Sequence, residues 1–262
     1  MKTPLRLPAG PLLGMAGIAG FLLTWELIPR TGLVNPAYLP PASDILGIFF
    51  SNLALGAFWT AVGQTMTGWA LGLLIAATAA VILGLIIGSS TFLRRATNST
   101  IEFLRPIPSV ALIPLAVLLF GFKLESTLLL VVYASFWQVL IQVLYGVADV
   151  DPVASNTARS FGLGRLDRIR YVVWPTTLPY LMTGIRLAAA VALILAITAG
   201  LIIGSPGLGN EIALAQSGGA VAQMYALVLT TGVLGIVINM GMRFVERRTL
   251  RWHSSVRGDV VV

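Results

Sequence analysis

Apolar runs long enough to cross a bilayer alternate along this chain with short polar breaks, and about 20 helical residues at 1.5 Å per residue span a hydrocarbon core. Ala9 to Pro29 is the first run, with one charge, Glu26, near its far end, and Trp25 at the position of an interfacial aromatic residue. It follows Lys2 and Arg6 as a secretory signal would, but its apolar part is longer than a signal core and no small-x-small cleavage site follows, so a retained span is predicted. Arg30 to Asp44 carries three prolines and reads as a loop. Ile45 to Leu93 contains no charged residue, too long a stretch for one span and just long enough for two.

Charge resolves that choice. With a single span at about Thr60 to Gly88, 15 of the 17 Lys and Arg residues fall on the N-terminal side of the membrane, leaving only Arg30 and Lys123 opposite. The excess of cations on cytoplasmic segments therefore predicts one span here, six in all, with both termini cytoplasmic. Ile45 to Phe50 becomes an external surface helix that Ser43 or Asp44 can cap. Phe92 to Arg105 is expected to be a short basic cytoplasmic turn, closed by Pro106 and Pro108; Ile107 to Phe122 is a short third span kinked at Pro114, and Lys123 and Glu125 mark the outer turn. Thr127 to Val147 and Leu178 to Ile203 are the fourth and fifth spans, with Arg186 of the latter expected to snorkel to the cytoplasmic interface. Gly204 to Gly219 reads as an external glycine-rich loop. Ala222 to Met242 is the sixth span, and Arg243, Arg247, Arg248, Arg251 and Arg257 hold the tail inside. The predicted fold class is all-α: a polytopic membrane protein, with residues 1–262 forming a single transmembrane domain.

Two patterns inside the spans carry further information. Gly68, Gly72, Ala76, Ala80, Gly84 and Gly88 recur every four residues, a helix face with almost no side chain that lets another helix approach closely. Its partner, in this chain or in a second copy, is not specified by the pattern. Ser135, Gln138 and Gln142 share one face of the fourth span, extended by Tyr145, and amides are unwelcome against lipid. That face is expected to point at an aqueous translocation path or at hydrogen-bond partners on a neighbouring helix.

Composition agrees and excludes several chemistries. The chain is 57% hydrophobic and 10% charged, has no cysteine, and its one histidine, His253, lies in the tail. Thiolate and histidine metal sites are therefore excluded, and no catalytic constellation stands out. The net charge of +7 is explained by topology, with no aromatic-interleaved basic stripe for nucleic acid. The glycines of GSPGLGNE lack the Lys and Ser or Thr of a phosphate-binding loop.

The stretch from 149 to 177, DVDPVASNTARSFGLGRLDRIRYVVWPTT, holds seven charged side chains between two long apolar runs. Asp151-Pro152 is a helix start, with an acceptor at the cap and a pre-set φ at the first helical position. Val153 to Phe161 can form a short helix ended by Gly162 or Gly164. A second short helix restarts at Arg165 with Leu166, Ile169 and Val173 on one side, and Pro175 is expected to break it. Such a hairpin suits a soluble partner better than lipid.

The spacing of this stretch resembles the cytoplasmic motif of the permease subunits of ATP-binding-cassette importers: Glu-Ala-Ala, three residues, Gly, nine residues, Ile-x-Leu-Pro. The register gives Asn156-Thr157-Ala158, Gly162 and Val172-Val173-Trp174-Pro175. YLPPASDIL, FLRPIPSVALIPLAVLLFGF, WPTTLPYLMTGIRLA, SPGLGNEI and RRTLRW, between residues 38 and 252, are similar to the nitrate, sulfonate and taurine type of such permeases. The family's Glu-Ala stands here as Asn156-Thr157, its Leu before Pro as Trp174, and an acidic residue common in its fifth span falls on Gly200.

The resemblance implies a type I importer permease fold, a multi-pass location in a bacterial plasma (inner) membrane, and a coupling role for Asn156, Thr157, Ala158, Arg159, Gly162 and Pro175. It implies as partners a second permease subunit, identical or not, two cytoplasmic ATPase subunits that bind ATP and Mg2+, and an extracytoplasmic solute-binding protein. This chain would then hold no cofactor and perform no bond chemistry. The contrasting reading is a secondary transporter or channel not coupled to ATP, whose usual marks are buried carboxylates; Glu26 is the only acidic residue inside an assigned span.

Overall fold

A computed structural model describes residues 9–251 as helices joined by short connections. Lys2, Arg6, His253 and Arg257 lie outside the described residues. The long helices are α1 (Ala9–Arg30), α3 (Gly56–Gly88), α6 (Leu124–Ala148), α9 (Trp174–Ile203) and α11 (Val221–Thr249). Shorter ones lie between them: α2 (Ala42–Asn52), α4 (Thr91–Leu104), α5 (Ile113–Phe120), α7 (Pro152–Ser160), α8 (Arg165–Arg168) and α10 (Leu208–Ser217). Among the described residues, five helices are long and apolar enough to cross a membrane, and α4 with the segment Ser109–Phe120 forms a broken sixth, bent by 80°.

The core is α3, α6 and α9. All six ladder residues of α3 are buried, and the helix they meet is α6 of the same chain. A Cβ on Gly72 would lie 2.5 Å from Val131 Cγ1, one on Gly84 2.6 Å from Val143 Cγ1, and one on Gly88 2.8 Å from Val147 Cγ1. The contacts advance together by four residues along both helices, so α3 and α6 run parallel. Parallel neighbours require a return crossing between them, which falls to the bent α4–α5 segment. The uncharged stretch from Ile45 to Leu93 therefore holds one span, as charge predicts, and the crossings number six.

α9 runs antiparallel to α6. At one end Gly146 sits where a Cβ would be 2.8 Å from Thr177 Cα. At the other, the hydroxyls of Thr127 and Ser205 share a buried hydrogen bond of 2.8 Å. Trp69 of α3 donates its indole N–H to the Ala189 carbonyl of α9 at 2.8 Å, closing the trio. α1 is held mainly at its C-terminal end: Trp25 Nε1 donates to the Pro40 carbonyl (3.1 Å) and Glu26 accepts from the Ser43 N–H (2.9 Å). Most of its other apolar side chains are exposed.

Several expectations are corrected. Residues 92–105 form helix α4 rather than a turn: Leu93, Thr97, Ile101 and Leu104 make a half-buried stripe, and Ser90 caps the start by accepting from the Leu93 N–H. The third span is not one helix over 107–122 but a 3₁₀ turn, Ser109–Leu112, leading into α5. Pro114 lies in the first turn of α5, where a missing N–H breaks no bond, so it starts that helix instead of kinking one. Neither Ser43 nor Asp44 caps α2, which begins after Pro41 without a side-chain cap; Ser43 is turned to Glu26.

Residues 204–219 are not a simple loop either. α10 packs on α9 so closely that a Cβ on Gly209 would overlap the Ile197 carbonyl oxygen. Gly207, at φ +140°, delivers the Leu208 N–H to Thr65 Oγ1 at 2.8 Å, and a Cβ there would strike that hydroxyl. Finally, α11 runs seven residues beyond Met242, so Arg243, Arg247 and Arg248 are helical.

Candidate functional site

The loop between α6 and α9 is built from its caps inward. Asp151 Oδ1 accepts from the Val153 N–H at 2.8 Å, and Pro152 occupies the first helical turn of α7, as the Asp-Pro signal predicts. α7 ends in a Schellman pair: the Leu163 N–H donates to the Ala158 carbonyl and the Gly162 N–H to the Arg159 carbonyl, both at 3.0 Å. Gly162 is the left-handed residue, φ +76°, whereas Gly164 is extended at φ −63°.

Pro175 does not break the second helix. From Arg165 to Ile203 the chain is one continuous helical element, with residues Ile169–Val173 in a π-helical turn immediately before the proline. A proline ring collides with the carbonyl four residues back in an α-helix. The wider π turn removes that register, and the Trp174 N–H instead reaches the Ile169 carbonyl. α8 is thus an N-terminal extension of α9, and a displacement of α8 is passed to a span through continuous helix.

The loop is braced on its other side as well. The Tyr180 hydroxyl of α9 donates to Asp149 Oδ2 at the end of α6 (2.9 Å), directly beside the close Gly146–Thr177 approach. α7 folds back on α8 and the π turn, and Ala158 is the residue of α7 that is buried, 8% exposed. The small residue at 158 therefore serves the loop's own packing, while Asn156, Thr157, Arg159 and Gly162 stay exposed. Pro175 is exposed at the head of α9.

The most exposed large apolar side chains of the loop are not among the predicted coupling residues. Phe161 and Leu166 are each 81% exposed and Val153 71%. Leu166, expected to pack with Ile169 and Val173, instead faces away, and those two are half-buried. An apolar trio on a charged loop between spans is a surface awaiting a cover. The signal was present in SFGLGRL: large apolar residues flank the two glycines of a turn, where no helical core could take them.

The polar face of α6 divides. Ser135 is fully buried in the α6–α9 seam, its hydroxyl donating to the Ala188 carbonyl at 3.4 Å. Gln138 and Gln142 are half-buried; the stem of Gln142 lies against Gly184, where a Cβ would be 3.0 Å from Gln142 Cβ. Neither amide hydrogen-bonds another described residue. Arg186 does not simply snorkel: its Nη1 lies 3.2 Å from Glu246 Oε2 of α11. Glu246 lay beyond the predicted sixth span, so this partner was invisible in the sequence.

The chain matches the family model "binding-protein-dependent transport system inner membrane component" over residues 80–251. It is 28% identical to the taurine transport system permease protein of Escherichia coli, over 94% of this chain and 91% of that one. It is also 28% identical to a putative aliphatic sulfonates transport permease protein of Bacillus subtilis, over 98% and 93%. In fold it is similar to a chain from an inward-facing structure of the MetNI methionine ABC transporter, with a TM-score of 0.65 at 15% identity, covering 74% of this chain and 96% of that one. With two parallel core helices, a broken third crossing and a helical loop continuous with the fifth span, this chain belongs to the family of binding-protein-dependent transport system inner membrane components and has the type I ABC importer permease fold.

Proposed function

We propose that this multi-pass membrane protein is the permease subunit of an ATP-driven importer for a small oxyanion of the sulfonate kind, delivered by an extracytoplasmic binding protein. The observation that carries the reading is the α7–α8 loop: a capped, braced lever, rigidly joined to α9, with Phe161, Leu166 and Val153 turned outward. Two cytoplasmic ATPase subunits, which bind ATP and Mg2+, cover this surface, and a second permease subunit completes the path. Both termini lie in the cytoplasm with the loop. The substrate class is suggested by relatives named for taurine and aliphatic sulfonates.

The permease contributes differential stability. ATP-driven closure of the ATPase dimer moves α8, and α9 moves with it against α6 and α11, so each partner selects the inward- or outward-open state it binds better. Gln138 and Gln142, half-buried and unpaired, are the polar groups that the path exposes to the solute. The test is uptake of labelled taurine or a short alkanesulfonate by vesicles containing this chain, its ATPase and its binding protein. Uptake that requires ATP and the binding protein is expected; uptake without ATPase subunits would overturn the importer reading.

A further inference from the structure

The cytoplasm-side end of α3, the whole of α4 and the last turns of α6 enclose a cleft of about 610 Å3 that the coupling loop does not touch. Arg94, Asn98 and Glu102 of α4 and Arg105, the residue that caps its C-terminus, line it at a spacing of four, four and three residues that keeps them on one helix face. Ile87, Ile141 and Leu144 form its apolar wall, and Tyr145 stands at the rim. The carboxylate of Glu102 is engaged locally, accepting from Asn98 Nδ2 at 2.9 Å. Arg94 and Arg105, by contrast, have no hydrogen-bond or ion-pair partner among the described residues. Opposite them, α4 exposes Phe92 and Phe103, apolar side chains that lipid can cover.

A cleft with two unpaired guanidiniums above an apolar wall, on the polar first half of the bent crossing, asks for a ligand that is anionic at one end and apolar at the other. We propose that this cleft binds anionic phospholipid of the leaflet facing the coupling loop, with phosphate oxygens at Arg94 and at Arg105, about 16 Å apart along the helix, and first acyl carbons against Ile87, Ile141 and Leu144. A guanidinium offers a planar fork of donors that matches phosphate oxygens. The bound lipid would also fix α4 against α3 and α6, at the foot of the crossing that lacks a continuous helix. The assignment to the cytoplasmic leaflet rests on the sidedness proposed above; the lipid-binding step does not, because both leaflets of a nanodisc carry the same lipids.

The experiment is native mass spectrometry of the full chain released from nanodiscs of phosphatidylethanolamine with phosphatidylglycerol, comparing the parent protein, Arg94→Gln, Arg105→Gln, the double variant and Arg95→Gln. Arg95 carries the same charge one residue away and does not line the cleft. Each near-surface arginine strengthens anionic-lipid binding by about fivefold. Single substitutions are expected to lower phosphatidylglycerol retention by about that factor and the double by about twentyfold, with Arg95→Gln unchanged. The single variants carry the test if the double fails to insert. Equal retention in all variants, or an equal loss in Arg95→Gln, overturns the proposal. So does displacement of the lipid by millimolar glycerol phosphate or methanesulfonate, which would make the cleft a site for soluble anions.

Discussion

The α3–α6 seam and the α7–α8 loop both place small residues at their closest approach, yet they leave opposite surfaces behind. In the seam, Gly72, Gly84 and Gly88 receive Val131, Val143 and Val147, and the branched side chains are consumed. In the loop, Ala158 is consumed instead and the large residues Phe161, Leu166 and Val153 are left in the open. In lipid, helices gain little from hiding apolar side chains, so the seam is held by fit. Outside the hydrocarbon, exposed apolar area is costly, and burying one large side chain contributes about 1.5–3 kcal/mol. The seam is complete within one chain; the loop is complete only when covered.

The largest effect is expected where fit is tightest. Gly84→Leu places a side chain where a Cβ alone would sit 2.6 Å from Val143 Cγ1. Overpacking of this kind costs about 1–3 kcal/mol when neighbours can yield and more when they cannot, and here two core helices would have to part. Gly84→Leu is expected to be lost from the monodisperse fraction in detergent, while Gly63→Leu, on a face of α3 where a Cβ meets nothing within 4 Å, behaves as the parent protein. Equal stability of the two variants would break the claim that the seam is set by fit.

A smaller but more selective effect is expected at the loop. Phe161→Asp is predicted to weaken association with the ATPase subunit by tenfold or more, an interface anchor being worth about 2 kcal/mol or more, with no loss of thermal stability in the isolated permease. Ala158→Glu makes the contrast: it forces a carboxylate into the loop's own packing and is expected to lower stability as well as association. If Phe161→Asp destabilises the isolated chain, or leaves ATPase binding unchanged in a pull-down, the surface is not waiting for that partner.

The seam and the loop also differ in how far each could be read from residues. A four-residue period of Gly and Ala announces a close helix contact, but which helix answers is a non-local question, and only the matching valines of α6 settle it. The loop's caps at Asp151-Pro152 and Gly162 are local signals and were legible. Its prolines were not, because Pro175 and Pro114 read as breaks, whereas a preceding π turn and a first-turn position remove the collision that makes a proline disruptive. α4 and α10 were hidden by charge and by glycine. Their stripes, Leu93, Thr97, Ile101, Leu104 in one and Leu208, Ile212, Ala215 in the other, have helical spacing but sit in stretches too short or too polar to suggest a membrane-packed helix. The lever-like union of α8 with α9 follows from the same π turn and could not be inferred from a proline alone.

The smallest expected effect concerns the pair that ties α9 to α11, Arg186 with Glu246. The side chains are 39% and 20% exposed, so solvent screens the attraction, and partly exposed pairs contribute on the order of 0.5–1 kcal/mol. If the pair merely staples two helices, a double-mutant cycle of Arg186→Gln and Glu246→Gln on thermal unfolding would return a coupling of about that size and transport would be unaffected. Its position argues for more. Arg186 lies two residues beyond Gly184, which packs on Gln142 of α6, so a tilt of α9 driven from α8 would stretch or break the pair. Breaking it is then part of the work of switching, and each single variant is expected to raise basal ATPase activity of the assembled complex two- to fivefold, the factor that about 0.5–1 kcal/mol of ground-state stabilisation corresponds to. Unchanged basal activity in both single variants, alongside a measurable coupling in the cycle, would assign the pair to stability alone and leave the α6–α9 seam as the surface along which the lever moves.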